Sequence, residues 1–269
     1  MRSPPILYGT AWKKADTAAL VSAAIRLGFR GIDTACQPRH YNEAGVGAGV
    51  LACLKDGLAR AELFVQTKFT PVSGQDPATI PYDRNAPLAR QVAQSLAVSL
   101  RNLQTDYLDS LILHSPLATA EDTLRVWRAF EQLVDSGAVR QLGISNCYRL
   151  EEFTALWNAA RIKPAVIQNR FHAATGYDRE IRAFCARQQM DYQGFWTLTA
   201  NPQLLAHATL LALASKHGRT PAQILFRYLT QSGIVPLSGT RSSVHMREDL
   251  EIFDFELGEG EREAVARAL

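Results

Sequence analysis

Several features that would mark a secreted, membrane-bound, metal-binding or nucleic-acid-binding protein are missing from this 269-residue chain. Its four cysteines, Cys36, Cys53, Cys147 and Cys185, lie far apart. They form no CxxC pair and no Cys/His cluster at zinc spacing, so reduced, structural thiols and no metal are expected. No stretch approaches the roughly 18 consecutive apolar residues that span a bilayer. The opening "MRSPPILYGT" has no apolar segment after Arg2, which argues against a secretory leader and for a cytoplasmic protein with no membrane partner. Charge is nearly balanced: 29 Lys+Arg against 26 Asp+Glu give a net +3. The basic residues are scattered and lack aromatic interleaving, so no nucleic-acid partner is expected. Low-complexity segments and Pro/Gly/Ser linkers are also missing, and residues 1–269 read as a single domain. Finally, no GxGxxG turn sits between a strand and a helix. The nearest match, "GVGAG" at Gly45, falls inside a helical pattern, which disfavours a doubly wound dinucleotide fold.

What the chain does have is a rhythm. Short β-branched apolar runs alternate with helical patterns. The strand candidates are "ILYG" from Ile6, "GFRGIDTA" from Gly28, "LFVQTKF" from Leu63, "LDSLILHS" from Leu108, "VRQLGIS" from Val139, "AVIQNRF" from Ala165, "MDYQGFW" from Met190 and "GIVPLSG" from Gly233. Between them lie helical stretches such as "DTAALVSAAIRLG", with Asp16 as a plausible N-cap, and "TPAQILFRYLTQSG", where Thr220 caps and Pro221 takes the first helical position. Strands each followed by a helix in this length predict an α/β fold, a (β/α)8 TIM barrel.

In such a barrel the chemistry gathers at the C-terminal ends of the strands. Those ends carry Asp33 (strand two), Lys68 (three), His114 (four), Ser145 and Asn146 (five), and Trp196 and Thr197 (seven), while Gln168 lies on strand six. Each has a structural explanation in isolation. An Asp at a strand end often makes a turn, a Lys there is often a solvated rim charge, and "SN" after a strand is commonly an N-cap. Their joint occurrence on successive strand ends is what points to a site.

The motifs "GTAW" at Gly9, "LGFRGIDTA", "TKF", "DYLDSLILHSP", "LGISN" and "VIQNRFH" resemble the aldo-keto reductase family in order and approximate spacing, over nearly the whole chain. The resemblance implies NAD(P)H-dependent reduction of a small-molecule aldehyde or ketone, with Asp, Tyr, Lys and His as the catalytic set. Asp33, Lys68 and His114 match it directly. Hydride addition builds negative charge on the carbonyl oxygen, so a positioned proton donor lowers the barrier. A tyrosine beside an ammonium suits that role, with Lys68 expected to lower its pKa and Asp33 to hold Lys68 charged. Ser145, Asn146 and Gln168 are expected to grip a nicotinamide carboxamide while Trp196 stacks on its ring. Gly9, Thr10 and Thr197 are expected beside them, with Ser238, Gly239, Thr240, Arg241 and Asp249 at the cofactor tail.

The sequence departs from the family in three places. In the family the tyrosine stands two residues before an "NE" pair, but here His40 takes that place and Tyr41 follows it, eight positions after Asp33. Matching chemistry selects Tyr41 as general acid, and counting back from "NE" selects His40, whose reference pKa near 6.5 is adequate. After strand eight, "PLSGTRSSVHMREDL" puts Leu237, His245 and Asp249 where the family commonly has lysine, arginine and asparagine. Arg241 or Arg247 is left to hold a 2'-phosphate, so NADPH is expected, with NADH as the alternative. Third, only one short helix follows "FDFEL", so an open cleft is expected on that side. The long "TPVSGQDPATIPYDRNAP" segment is instead expected to form a lid, with Phe69, Tyr82 and Trp12 lining the cleft. Two other functions remain open at this point: a redox-neutral lyase, isomerase or cyclase, and a non-catalytic cofactor-binding subunit. The assembly state is expected to be a monomer or a weak homodimer.

Overall fold

The computed structural model describes residues 2–269. Eight parallel strands close into a barrel in sequence order: β1 (Leu7–Gly9), β2 (Gly31–Asp33), β3 (Phe64–Phe69), β4 (Leu108–Leu113), β5 (Val139–Ser145), β6 (Val166–Arg170), β7 (Asp191–Phe195) and β8 (Ile234–Ser238). β8 pairs back onto β1 through Leu7↔Leu237. The helices α1 (Thr17–Leu27), α2 (Glu43–Lys55), α3 (Leu88–Leu103), α4 (Ala120–Asp135), α5 (Leu150–Ala159) and α6 (Arg179–Arg187) each follow one strand. Three helices, α7 (Pro202–Leu205), α8 (Ala208–His217) and α9 (Pro221–Gln231), connect β7 to β8, and α10 (Ser243–Leu250) and α11 (Glu259–Ala268) finish the chain.

The main apolar core lies between the sheet and the helices, where Trp127, Phe130, Phe153 and Ile167 are fully buried. Two glycines explain how tightly α2 fits this layer. A Cβ on Gly47 would stand 2.1 Å from the Asn102 carbonyl, and one on Gly49 would stand 2.6 Å from that of Ala18. The "GVGAG" run therefore lets α2 wedge between α1 and α3, at the helix-propensity cost that glycine carries. Local signals also stop and start the elements. Thr220 and Gln223 form a reciprocal capping box on α9. Asn42 caps α2 by accepting from the Gly45 N–H at 2.9 Å.

Two expectations need correcting. The strand expected from Gly28 begins only at Gly31, because Gly28 at φ +127° ends α1, its N–H donating to Ala24 and Ile25 carbonyls. Asp16 precedes α1 but makes no capping bond, since its carboxylate is paired with Arg241.

The barrel interior is the unusual part. Along a strand alternate residues face inward, and here β3, β6 and β7 bring Gln66, Gln168 and Gln193 to the axis. Gln66 Nε2 and Gln168 Nε2 both donate to Gln193 Oε1, at 2.8 and 2.9 Å. Gln193 Nε2 returns a bond to Gln66 Oε1 at 3.2 Å. Below this layer Leu7, Phe64 and Val235 form a small apolar plug. A polar amide layer in a buried axis is stable only because its members satisfy one another, and it carries the site directly above it.

Candidate active site

Asp33 ends β2 and lies 2% exposed on top of the amide layer. Lys68 Nζ donates to both its carboxylate oxygens, at 2.7 and 2.6 Å, and to the Thr34 carbonyl at 2.8 Å. Gln66 and Gln168 add Nε2 donors to Asp33 Oδ1 at 2.7 and 2.9 Å. Gln66 and Gln193 went unnoticed in the sequence because a lone Gln inside a strand reads as a polar interruption. The ion pair is almost dry, and burial pulls the Lys68 pKa below its ordinary value while the Asp33 charge opposes that pull.

Tyr41 sits against this pair. Lys68 Nζ is 5.4 Å from the centre of its ring, and the His114 ring lies 6.1 Å away, edge-on. The lengthened loop reaches this place by curling. His40 N–H and Tyr41 N–H both donate to the Gln37 carbonyl, at 3.1 and 3.0 Å. The Gln37 side chain clamps the turn from both ends, donating to the Gly74 carbonyl at 2.6 Å and meeting His40 Nδ1 at 2.8 Å. His40 instead stacks on Trp12, ring centres 4.0 Å apart. Its pKa is lowered by partial burial and then by Arg39.

The expected depression of the Tyr41 pKa by Lys68 is not found. Burial and then the Asp33 charge push it up, and together they outweigh the pull of the nearby Lys68 ammonium toward a phenolate. A phenol that holds its proton remains competent toward an alkoxide, which is far more basic than a phenolate. His114 is driven down to about 3 by burial and then by Lys68, so it is a neutral imidazole at ordinary pH. Its Nδ1 meets Thr70 Oγ1 at 2.7 Å. If the hydroxyl donates, Nε2–H is the free donor.

Asn146 takes a left-handed φ of 53°, tolerated by Asn, and points Nδ2 at the His114 carbonyl at 2.8 Å. It does not cap α5, whose N-cap position is Arg149. Tyr148 OH donates to its Oδ1 at 3.1 Å, leaving that oxygen one further lone pair.

Asp33, His40, Tyr41, His114 and Asn146 border one cleft of about 940 Å³ at the C-terminal rim, running on to His245 and Asp249, while the Lys68 ammonium lies behind Asp33 and Tyr41 and does not line it. Gly9, Ser145, Gln168, Trp196, Thr197, Ser238, Gly239, Thr240 and Arg241 all line it. Thr10 does not line it: its N–H and hydroxyl both donate to the Asp33 carbonyl, at 3.0 and 2.9 Å, so it braces β2 and holds no ligand. Arg241 is already engaged by Asp16 and the Trp12 carbonyl. Ser238 donates to Asp249 Oδ2 at 2.5 Å, and burial raises the Asp249 pKa to about 6. Lys13 was also overlooked in the sequence. It is 1% exposed, and its Nζ meets the Gly239 and Thr240 carbonyls at 2.7 and 3.4 Å and lies over the Tyr8 ring, 5.1 Å from its centroid, with no carboxylate partner among the described residues. Burial and then Arg241 lower its pKa to about 8. A buried cation with carbonyls and a ring but no carboxylate beside it, on the wall of a long cleft, fits the phosphates of a dinucleotide.

The expected lid is absent from the cleft wall. Tyr82 is buried, donates to the Thr70 carbonyl at 2.6 Å and packs on Phe69, and residues 71–87 fold back on the barrel side. Trp12 does line the cleft. The lining residues end at Asp249, and α11 packs on α8, where Lys216 pairs with Glu261.

Comparison with known proteins agrees with this fold. The chain is 32% identical over 247 residues to a glyoxal reductase of Bacillus subtilis, covering 91% of this chain and 80% of that protein. It is 30% identical to a probable NAD(P)H-dependent D-xylose reductase of Emericella nidulans, covering 97% of this chain and 89% of the relative. An aldo/keto reductase of Brucella melitensis superposes with a TM-score of 0.84 at 28% identity, covering 98% of this chain and 94% of the other. The model of the aldo/keto reductase family matches residues 6–269, and the chain belongs to that family.

Proposed function

We propose that the chain reduces an aldehyde or ketone to an alcohol with hydride from NADPH, and that Tyr41 delivers the proton. The observation that carries this reading is the packing of Tyr41 between Lys68 and His114 at the mouth of the cleft. The relatives named for glyoxal and xylose reduction support carbonyl reduction as the reaction class.

A nicotinamide cofactor bound along the cleft would supply the hydride. Gln168, Asn146 and Ser145 are placed to orient its carboxamide at the end near Tyr41. Lys13 is placed to meet the shared pyrophosphate, and the first-turn amides of α10, capped by Ser242, are placed to meet a 2'-phosphate, the one group by which NADPH differs from NADH. The neutral His114 hydrogen-bonds the carbonyl oxygen and fixes its approach. As charge grows on that oxygen, Tyr41 OH gives up its proton, and Lys68, held charged by Asp33, stabilises the phenolate left behind. Gln66 and Gln168 hold the Asp33 carboxylate in place from below, and both are braced by Gln193 Oε1.

We further propose that residues 1–269 act as one catalytic unit in the cytoplasm, as a monomer or weak homodimer. No helix among the described residues is long and apolar enough to cross a membrane. The test is titration with NADPH and NADH, following tryptophan fluorescence, with Trp196 as the reporter, and then a carbonyl panel. Micromolar quenching with oxidation of NADPH by carbonyls supports the reading. Binding without turnover leaves a cofactor-binding subunit, and turnover without nicotinamide leaves a redox-neutral catalyst.

A further inference from the structure

Arg170, the last residue of β6, has no role in the chemistry above. Strand alternation places it on the same face as Gln168, one layer higher, so it emerges on the cleft wall. Its guanidinium lies over the Trp196 ring, 4.3 Å from the centroid. Its Nε is buried without a hydrogen-bond partner. Among the described residues no carboxylate comes within ion-pair distance, whereas Arg26, Arg60, Arg128 and Arg140 all have one. An arginine stacked on an indole keeps its in-plane N–H donors for another ligand. A desolvated, unpaired donor in a cleft wall is stabilised by a ligand that brings the missing acceptor.

Aromatic side chains also border this cleft. Trp12 and Trp196 are 53% and 47% exposed, and both border the cleft together with Tyr41 and Phe195. A cation fixed among flat apolar surfaces matches a flat apolar body with an acid at its far end. We infer that Arg170 is the specificity-determining residue for carbonyl substrates carrying a carboxylate on an aromatic or similarly apolar frame, the carboxylate docking on Arg170 while the carbonyl reaches Tyr41 and His114. The inference rests on the reductase reading above.

The matched probes are 4-formylbenzoate and its methyl ester, which share shape and reacting group and differ in charge. Wild-type protein with NADPH is expected to prefer the acid in kcat/KM by roughly tenfold or more, the scale of a charge-assisted hydrogen bond, with the preference held in KM. In R170M the preference is expected to collapse to about one or below, and in R170K to return partway. An unchanged acid-to-ester ratio in R170M overturns the inference, as does a weakened NADPH affinity with both substrates falling together, which would assign Arg170 to the cofactor. A second readout is independent of turnover: quenching of tryptophan fluorescence by 4-ethylbenzoate, with and without NADP+. Carboxylate binding to wild type that is lost in R170M upholds the Arg170 site even if neither aldehyde is reduced, a result that would count against the reductase reading alone. Equal binding to both proteins, or none to wild type, overturns the site.

Discussion

Replacing Lys68 with Met tests the ion pair beneath Tyr41. The substitution keeps most of the volume but leaves Asp33, 2% exposed, with donors from Gln66 and Gln168 alone in place of the ammonium's two contacts. Removing one partner of a buried pair typically costs about 3–5 kcal/mol, and the two remaining amide donors put this case near the lower end. For a domain of this size about 3 kcal/mol lowers Tm by roughly 6–12 °C. Without the ammonium, burial penalises the ionised form of the stranded carboxyl, and that penalty is lifted when acid supplies a proton. The gap between K68M and wild type should therefore be widest at neutral pH and narrow toward pH 4. Urea unfolding followed by circular dichroism at several pH values measures it. The double variant K68M/D33N should recover much of the stability, since no charge is left buried, yet remain poor in turnover because no ammonium stands beside Tyr41. A K68M penalty below about 1 kcal/mol, or one independent of pH, would refute the ion-pair reasoning.

Asp249 offers a pH test at the other end of the cleft. With its pKa raised to about 6, it loses its negative charge as pH falls through that value, so NADPH affinity should rise between pH 7 and 5. Asp249→Asn should bind NADPH at neutral pH as wild type does at low pH, and a titration series that shows the same pH step in the variant would exclude Asp249 as its source. Gln37→Ala frees both His40 and the turn that delivers Tyr41. Misplacing a catalytic group by about 1 Å can cost up to a hundredfold in rate, so kcat should fall by roughly ten- to hundredfold while the melting temperature shifts little. A loss confined to KM would contradict a positioning role. His114, depressed to about 3 from 6.5, stays neutral in the folded state while the unfolded chain takes up a proton. Its contribution to stability is therefore full above pH 6.5 and declines as pH falls toward 3, and His114→Gln should flatten that part of the stability profile.

The barrel was legible because strands buried on both faces read as near-continuous apolar runs, and β5 (Val139–Ser145) coincides with the span read from sequence. β2 was less legible: glycines at 28 and 31 look alike in sequence, but only the positive φ of Gly28 shows that it ends a helix. Asp33, Lys68 and His114 could be found because strand ends collect at one rim. Gln66 and Gln193 could not, since their function depends on meeting across the barrel axis, a contact 127 residues apart. The proposal of Tyr41 over His40 likewise rests on the Gln37 turn, which no spacing rule reports. Lys13 and Arg170 escaped because what distinguishes them is the lack of an acidic partner, a property of the folded surroundings. The "TPVSGQDPATIPYDRNAP" loop looked like a lid by composition, yet the burial of Tyr82 against Phe69 turns it away from the cleft.

The most direct test of the account is NADPH-dependent turnover of a good carbonyl substrate by Tyr41→Phe and His40→Ala side by side, with cofactor binding checked in both. Tyr41 as proton donor predicts that Tyr41→Phe binds NADPH normally and loses turnover by roughly a hundredfold or more, the range that general acid catalysis contributes, while His40→Ala keeps most of it. Loss of turnover in His40→Ala with Tyr41→Phe still active would contradict the account and move the proton donor one residue back along the chain.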